Sequence, residues 1–270
     1  MRPRSLRELA NVTHSERIQF VSIGLEALAR GIESWVGDSR ALEQSDRSLG
    51  ADRAAAFATE EASKVFILLD WARADFEQRH ALRLAARHFY GHLDRLIYAS
   101  SYTNSPADLR EVQMHIDFQR RDRNLDGYVG EVVTGNVETW PREERLYVDL
   151  VKFEQGLAWV SPEEPRGRSF GADLGAAELA LDMRKCGLFE PDALRCIADV
   201  WRGKVVEAST HFLEIRALNV ACLAGAHKAK GLPGSVDVKA ARHVVEQWGF
   251  PLLSEEMSVV TVSDEQLAQE

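Results

Sequence analysis

The sequence predicts a mainly α-helical protein, in which a helical bundle is followed by a small β-hairpin and a C-terminal helical region. Apolar residues recur at spacings of three and four along most of the N-terminal half, which is the period of an amphipathic helix. Near residue 150, two short segments have the alternating pattern of strands instead. The composition, with 45% hydrophobic and 28% charged residues, is that of an ordinary globular protein.

The first helix is marked by its capping residues. Thr13 and Glu16 form the capping-box pattern, in which a hydroxyl and a carboxylate satisfy the first free backbone groups. We expect Gly37 and Asp38 to end this helix. The apolar positions that follow the cap at helical spacing are Ile18, Val21, Leu25, Leu28, Ile32 and Trp35.

A second helix is predicted from Asp52 to Phe76, and it carries an acidic pair. Glu60 and Lys64 have the spacing and order of a favourable i,i+4 ion pair. Glu61 lies on a stripe of core-type residues, so its carboxylate needs a partner or a wet cavity, because burying an unpaired charge is costly. The other members of that stripe are Phe57, Val65, Leu68 and Ala72.

The third predicted helix, Arg83 to Tyr102, contains the segment Arg87-His88-Phe89-Tyr90-Gly91-His92. The apolar face of this helix must pack against the rest of the bundle, and the adjacent face carries His88, His92 and Arg95. Basic and proton-transferring groups therefore border a packing face. Such local conflict is more common at functional sites than elsewhere.

The rest of the chain is predicted to contain one further bundle helix, the hairpin and the C-terminal helices. Pro106 opens the bundle helix, from Ala107 to about Arg121. The hairpin pairs residues 146–153 with 157–160 across Gln155-Gly156. Further helices are expected over residues 173–186, 191–230 with a break near Gly203, and 236–248. The predicted units are therefore residues 1–122, 123–169 and 170–270.

Charge and cysteine content narrow the class of function. The net charge of −9 argues against broad nucleic-acid binding, although it leaves room for a local cationic pocket. Cys186, Cys196 and Cys222 lack metal-ligand spacing, so we expect neither a metal site nor a disulfide framework. The N-terminus has no apolar core of a secretory signal, and no apolar run approaches the ~20 residues of a membrane span. We therefore expect a cytoplasmic protein without membrane contact.

Two blocks of residues resemble a known family. The sequence Glu60-Glu61-Ala62-Ser63-Lys64, followed by Arg87-His88-x-x-x-His92 and by His92-x-x-Arg95, is similar to the HEPN superfamily, and within it to the AbiV-type abortive infection proteins of bacteria. The block from Arg142 to Asp149 also resembles that family. The resemblance covers about residues 14 to 160. Arg83 to His88 fits the arginine–histidine spacing as well, so the register of the motif stays open.

The resemblance implies a function in phage defence. HEPN proteins are small helical bundles that usually form homodimers, and many are metal-independent endoribonucleases. It therefore implies RNA as the substrate, a second copy of the chain as a partner, no cofactor, and a phage-encoded or antitoxin protein as a further partner. Arg87, His88, His92 and Glu61 are then the catalytic candidates, and Lys64, Arg95 and Glu60 the substrate-binding candidates.

RNA cleavage without a metal needs these kinds of residue. A base must take the proton of the ribose 2′-hydroxyl, and His92 is the candidate because imidazole titrates near neutral pH. Arg87 is suited to hold phosphate oxygens with its planar guanidinium. We expect His88 to orient His92 or the substrate, and Glu61 to fix the imidazole tautomer or to neutralise Arg87. Lys64 and Arg95 add positive potential.

Two other interpretations remain open. Histidine and arginine beside glutamates of a neighbouring helix also make a common structural ion-pair network. The same bundle would also suit a non-catalytic module that arrests growth by binding a phage or host protein, RNA or a nucleotide. That interpretation predicts that Arg87 and His92 form closed ion pairs with Glu60 or Glu61.

Overall fold

The computed structural model describes residues 6–103, 106–122, 148–153, 156–160, 174–229 and 237–261. Within them the chain is mainly α-helical, which confirms the predicted fold class. After a short 3-10 helix, Leu6–Asn11, the described residues of the N-terminal half form α1 (His14–Gln44), α2 (Ser48–Arg73), α3 (Arg79–Tyr90), α4 (His92–Thr103) and α5 (Leu109–Gln119). Those of the C-terminal half form α6 (Gly175–Lys185), α7 (Pro191–Trp201), α8 (Phe212–Ala229) and α9 (Val238–Gln247).

Helix α2 is the centre of the molecule. It packs against α1, α3, α4, α6 and α7, and every residue from Val65 to Arg73 is buried. A helix that is apolar on all sides must be buried on all sides. In its first half, alanines such as Ala58 and Ala62 let α1 approach closely, because a methyl group is the smallest side chain that keeps helix propensity.

The first helix confirms its predicted start and corrects its predicted end. Thr13 and Glu16 form the capping box. We expected the helix to end at Gly37 and Asp38, but it continues to Gln44. Beyond the glycine, Ser39 is buried and its hydroxyl donates a hydrogen bond to the carbonyl of Ala51 in α2, at 2.9 Å. A hydrogen bond contributes about 0.5–1.5 kcal/mol, which is comparable to the cost of one glycine inside a helix, about 1 kcal/mol.

Two small pairs of strands complete the fold. β2 (Asp149–Phe153) and β3 (Gly156–Val160) form the predicted antiparallel hairpin. β1 (Arg121–Asp122) pairs in parallel with β4 (Val260–Thr261), which ties the end of the described chain to the end of α5. Of the Arg142–Asp149 block, residues 142–147 lie outside the described residues.

A buried polar network joins the two helical halves. The guanidinium of Arg73 donates to the Asp70 carboxylate at 3.1 Å, to the Asn219 side chain of α8 at 2.9 Å and to the carbonyl of Gly249 at 2.9 Å. The rings of Trp201 and Trp248 flank it at 4.8 and 4.0 Å. Burial raises the pKa of the Asp70 carboxyl, and the positive charge of Arg73 opposes that rise.

The apolar core continues across this joint. It forms a single cluster that includes Ile18 of α1, Leu194 of α7 and Met257 near the end of the described chain. The proposed division into units at residues 122 and 170 stays a prediction, and the two outer units share this core. None of the helices within the described ranges combines the length and apolar character of a membrane span.

Candidate functional site

The predicted continuous helix from Arg83 to Tyr102 is wrong, because the chain breaks at Gly91. Helix α3 ends at Tyr90 and α4 begins at His92. A glycine fits at this break because a larger residue would clash with Asp94. A Cβ atom at position 91 would lie only 2.7 Å from Cγ of Asp94, whose side chain folds back over the turn. The break turns the chain between Arg87 and His92, so the two residues do not share one helical face.

The site forms where α4 meets α2. The Oε2 atom of Glu60 lies 2.9 Å from Nη2 of Arg95 and 3.2 Å from Nδ1 of His92. The carboxylate and the guanidinium are buried, with 8% and 9% of their side chains exposed, whereas 57% of the His92 side chain is exposed. The exposed imidazole of His92 therefore contacts the buried ion pair of Glu60 and Arg95.

His92 Nδ1 faces a donor and an acceptor at once. Nη2 of Arg95 lies 2.7 Å from it, and Oε2 of Glu60 lies 3.2 Å from it. When Nδ1 carries a hydrogen it donates to Glu60, and when it is bare it accepts from Arg95. The imidazole thus has a hydrogen-bond partner in either protonation state, which suits a group that takes up and releases a proton.

Glu61 makes a different pair from the one expected. It bonds to Lys64 one turn along α2, whereas the Glu60 carboxylate contacts Arg95 and His92. Helix α2 places Glu60 toward α4 and leaves Glu61 half-buried at the edge of an apolar cleft of about 410 Å³ between α1 and α2. The Lys64 ammonium lies 5.6 Å from the centroid of the Phe89 ring, which lines the same cleft.

His88 is fully buried and contacts neither His92 nor the surface. Its Nδ1 lies 2.7 Å from Oδ2 of Asp94, and its Nε2 lies 3.1 Å from the carbonyl oxygen of Leu253. A carbonyl oxygen only accepts, so Nε2 carries a hydrogen. His88 therefore joins the end of α3 to the start of α4 and to the C-terminal segment, which we define as residues 248–261. The expectation that it orients His92 is not met.

Arg87 reaches the C-terminal segment instead of His92. Its Nη1 lies 3.1 Å from Oε2 of Glu256, and its Nη2 donates to the carbonyl of Glu255 at 3.4 Å. With 39% of its side chain exposed, Arg87 is accessible at the surface. The hydrogen bonds that Glu256 accepts from Ser258, together with Arg87, lower the pKa of its carboxyl to about 2, so it is an anion at neutral pH.

The structure thus brings together three of the seven candidate residues: Glu60, His92 and Arg95. Glu61 and Lys64 form a second pair, and Arg87 and His88 face the C-terminal segment. The sequence reasoning did not single out Asp94 or Glu256. Asp94 had a local signal, because a glycine followed three residues later by an acid fits a helix start with an acid in its first turn. Glu256 had none, because it lies 169 residues from its partner.

Comparison with family models, with curated proteins and with solved structures found no match in any of the three. The resemblance to HEPN proteins therefore stays a prediction. What the protein does is inferred from the chemistry of its own residues.

Proposed function

We propose that this protein is a phage-defence effector that cleaves RNA without a metal ion, in the manner expected of a HEPN-type endoribonuclease. The observation that carries the proposal is the exposed imidazole of His92 held on the buried pair of Glu60 and Arg95. These three residues belong to the two sequence blocks that carry the resemblance, and they meet in space although 32 residues separate Glu60 from His92. The exposed face of the imidazole leaves room for a substrate to reach it.

In the proposed reaction, the ribose 2′-oxygen attacks the adjacent phosphorus. The new oxygen–phosphorus bond forms as the bond to the 5′-oxygen of the next nucleotide breaks, which leaves a 2′,3′-cyclic phosphate and a 5′-hydroxyl. His92 takes the proton of the 2′-hydroxyl, and the leaving 5′-oxygen needs a proton from an acid. In the homodimer that we propose, His92 of the second copy supplies it. General acid–base catalysis of this kind contributes about 10²–10⁴-fold.

The cations have separate tasks in this proposal. Arg95 is buried and bonded to Glu60 and to the carbonyl of Phe89, so it positions His92 and does not touch RNA. Arg87 is the group that holds the phosphate, because its guanidinium is accessible and flat. Since Glu256 contacts Arg87 in the free protein, a phosphate must compete with that carboxylate. Glu61 and Lys64 contribute to the edge of the site.

The decisive experiment incubates the purified protein with total RNA in EDTA. We expect fragments that end in a 2′,3′-cyclic phosphate with the wild-type chain and none with His92→Ala. His243→Ala is the matched control, because His243 is a half-exposed histidine whose Nδ1 lies 2.8 Å from a carboxylate oxygen of Asp182. Full activity of His92→Ala would remove the proposal. Cells that express the wild type but not His92→Ala should resist phage.

A second candidate is a non-catalytic binding module, and one observation favours it. The charged groups of the site already have partners within the chain: Glu60 with Arg95, Glu61 with Lys64, Arg87 with Glu256, and His88 with Asp94. Such a module would bind RNA or a phage or host protein without cleaving RNA. The same incubation separates the two, because retention of intact RNA by wild-type protein identifies the module.

A further inference from the structure

We propose that a second cleft, at the turn between α1 and α2, binds one nucleotide of single-stranded RNA, with a base against Trp35 and Phe57 and a phosphate at Arg47 and Arg53. This inference rests on the proposed function, since it supplies a subsite for the same RNA strand. The site lies outside the set of residues that the sequence motifs single out.

The cleft has the size of a nucleotide site. Its volume is about 440 Å³, within the roughly 300–1,000 Å³ typical of small-ligand sites. One wall comes from the last three turns of α1 and the other from the first three turns of α2. Its side chains include two aromatic rings, two guanidinium groups, a hydroxyl and a carboxylate: Trp35, Phe57, Arg47, Arg53, Ser45 and Asp38.

The aromatic wall is an exposed pair of rings. Trp35 and Phe57 stack with their centroids 5.0 Å apart and their planes at 29°. Both remain accessible, at 37% and 38%, although rings of this size stabilise a fold most when they are buried. A nucleobase offers a flat face on which such rings stack regardless of base identity.

The charges of the cleft fit a nucleotide better than an apolar partner. Arg47 directly precedes α2, and Arg53 lies about one and a half turns into it. Guanidinium groups bind phosphate oxygens with two parallel hydrogen bonds. Asp38, on the α1 side, does not suit a phosphate, but it accepts hydrogen bonds from a base amino group or a ribose hydroxyl.

The position of the cleft relates it to His92. Phe57 precedes Glu60 by three residues and Glu61 by four, so all three lie on neighbouring faces of α2. Phe57 is therefore about 5 Å along the helix axis from Glu60, whose carboxylate contacts His92. The cleft and the site at His92 therefore both involve this stretch of α2.

Binding of a fluorescent single-stranded oligoribonucleotide, measured by polarisation in the His92→Ala background, tests the subsite. We expect Trp35→Leu to raise Kd about 10-fold and Trp35→Phe to preserve binding, because only the ring face is needed. Arg47→Ala with Arg53→Ala should also weaken binding and reduce the salt dependence by about one unit per arginine. Trp159→Leu and Arg202→Ala are matched controls, since both residues are strongly exposed elsewhere.

The outcomes separate this inference from the proposed function. If wild-type protein does not cleave RNA but these variants lose binding, the ribonuclease proposal fails and the subsite stands. If wild-type protein cleaves RNA and the cleft variants keep their Kd and KM, the subsite is overturned. A loss of dimer on size exclusion with unchanged Kd would assign the surface to a second copy and also overturn it. If Trp35→Leu unfolds, the arginine variants decide.

Discussion

Glu60 and Arg95 form a buried ion pair across the gap between α2 and α4, with Oε2 and Nη2 2.9 Å apart. Because the same oxygen contacts His92, the pair supports the imidazole as well as the packing of the two helices. Removing one member of a buried pair leaves a charge without compensation, which typically costs 3–5 kcal/mol. The pair is therefore the point where stability and the proposed activity are coupled.

Glu60→Gln should reduce both stability and RNA cleavage, and it should reduce each of them more than Glu61→Gln does. The carboxamide still accepts a hydrogen bond from Arg95 but no longer neutralises it, so we expect a loss of about 1–3 kcal/mol in the free energy of unfolding. RNA cleavage should fall about 10-fold or more, with a changed pH profile, because His92 loses an anionic acceptor. Glu61 is half-buried in its pair with Lys64, so its carboxamide should cost less than 1 kcal/mol. Urea unfolding and cleavage rates measure both, and equal behaviour of the two variants would contradict the assignment.

Gly91→Ala should destabilise the protein through Asp94. The added methyl group would lie 2.7 Å from Cγ of Asp94, so that side chain must move and release Nδ1 of His88. Overpacking of this kind costs about 1–3 kcal/mol.

Gly31→Ala is the matched control for Gly91→Ala. Position 31 is inside α1 and has open space around its Cβ direction, so alanine should stabilise by about 0.5–1 kcal/mol. Thermal unfolding of both variants gives the comparison. A Gly91→Ala protein as stable as Gly31→Ala would mean that Asp94 does not hold the break.

Glu60 and Glu61 show which features of the site can be predicted from the sequence and which cannot. Periodicity predicted α2, and the two blocks predicted that α2 and the histidine segment meet. Periodicity did not decide which glutamate turns inward. Phe57, Glu61 and Val65 share a stripe that is apolar in sequence, yet Phe57 and Glu61 lie at the surface, while Glu60 is buried. The inward face of this half of α2 is set by alanines that α1 requires for close approach, and a pattern of large residues does not reveal it.

The contacts of the C-terminal segment could not be predicted from local sequence patterns, for a different reason. Its contacts with Arg87 and His88 span 165 to 169 residues, and two of the three use backbone carbonyls, which carry no sequence signal. The break at Gly91, in contrast, had a local cause. A glycine in a predicted helix followed by an acid at the third position fits the end of one helix and the start of the next.

Glu256 should titrate near pH 2, well below the ordinary value of 4.5, because of its hydrogen bonds with Ser258 and its contact with Arg87. Its folded pKa is depressed, so its contribution to stability is present above pH 4.5 and is lost as the pH falls toward 2. The carboxyl is half-exposed, so this contribution is small.

An NMR titration of the Glu256 side-chain carbon measures that pKa. Ser258→Ala removes the side-chain hydrogen bond to the carboxylate, which is the largest single cause of the low pKa, and keeps the bond from the backbone amide, so the pKa should rise. Arg87→Ala should also raise it, because it removes a hydrogen bond and a positive charge. If only Arg87→Ala moves the titration, the Ser258 hydroxyl does not lower the pKa of Glu256, and the prediction is incorrect.

Arg73→Leu should be among the most destabilising substitutions in the chain and should loosen the C-terminal segment. It leaves Asp70 buried with neutral donors only, which are Tyr102 and the amide of Leu252, so we expect a cost of about 3–5 kcal/mol. Arg184→Leu is the control, because Arg184 pairs with Glu26 and Glu33 near the surface and should contribute about 0–1 kcal/mol. Urea unfolding measures the stability of the two variants.

Hydrogen exchange at the amide of Leu252 should accelerate in Arg73→Leu. Asp70 accepts a hydrogen bond from that amide at 2.7 Å, and the same C-terminal segment contacts Arg87 and His88. Equal stability of the two arginine variants would show that Arg73 does not join the helical halves.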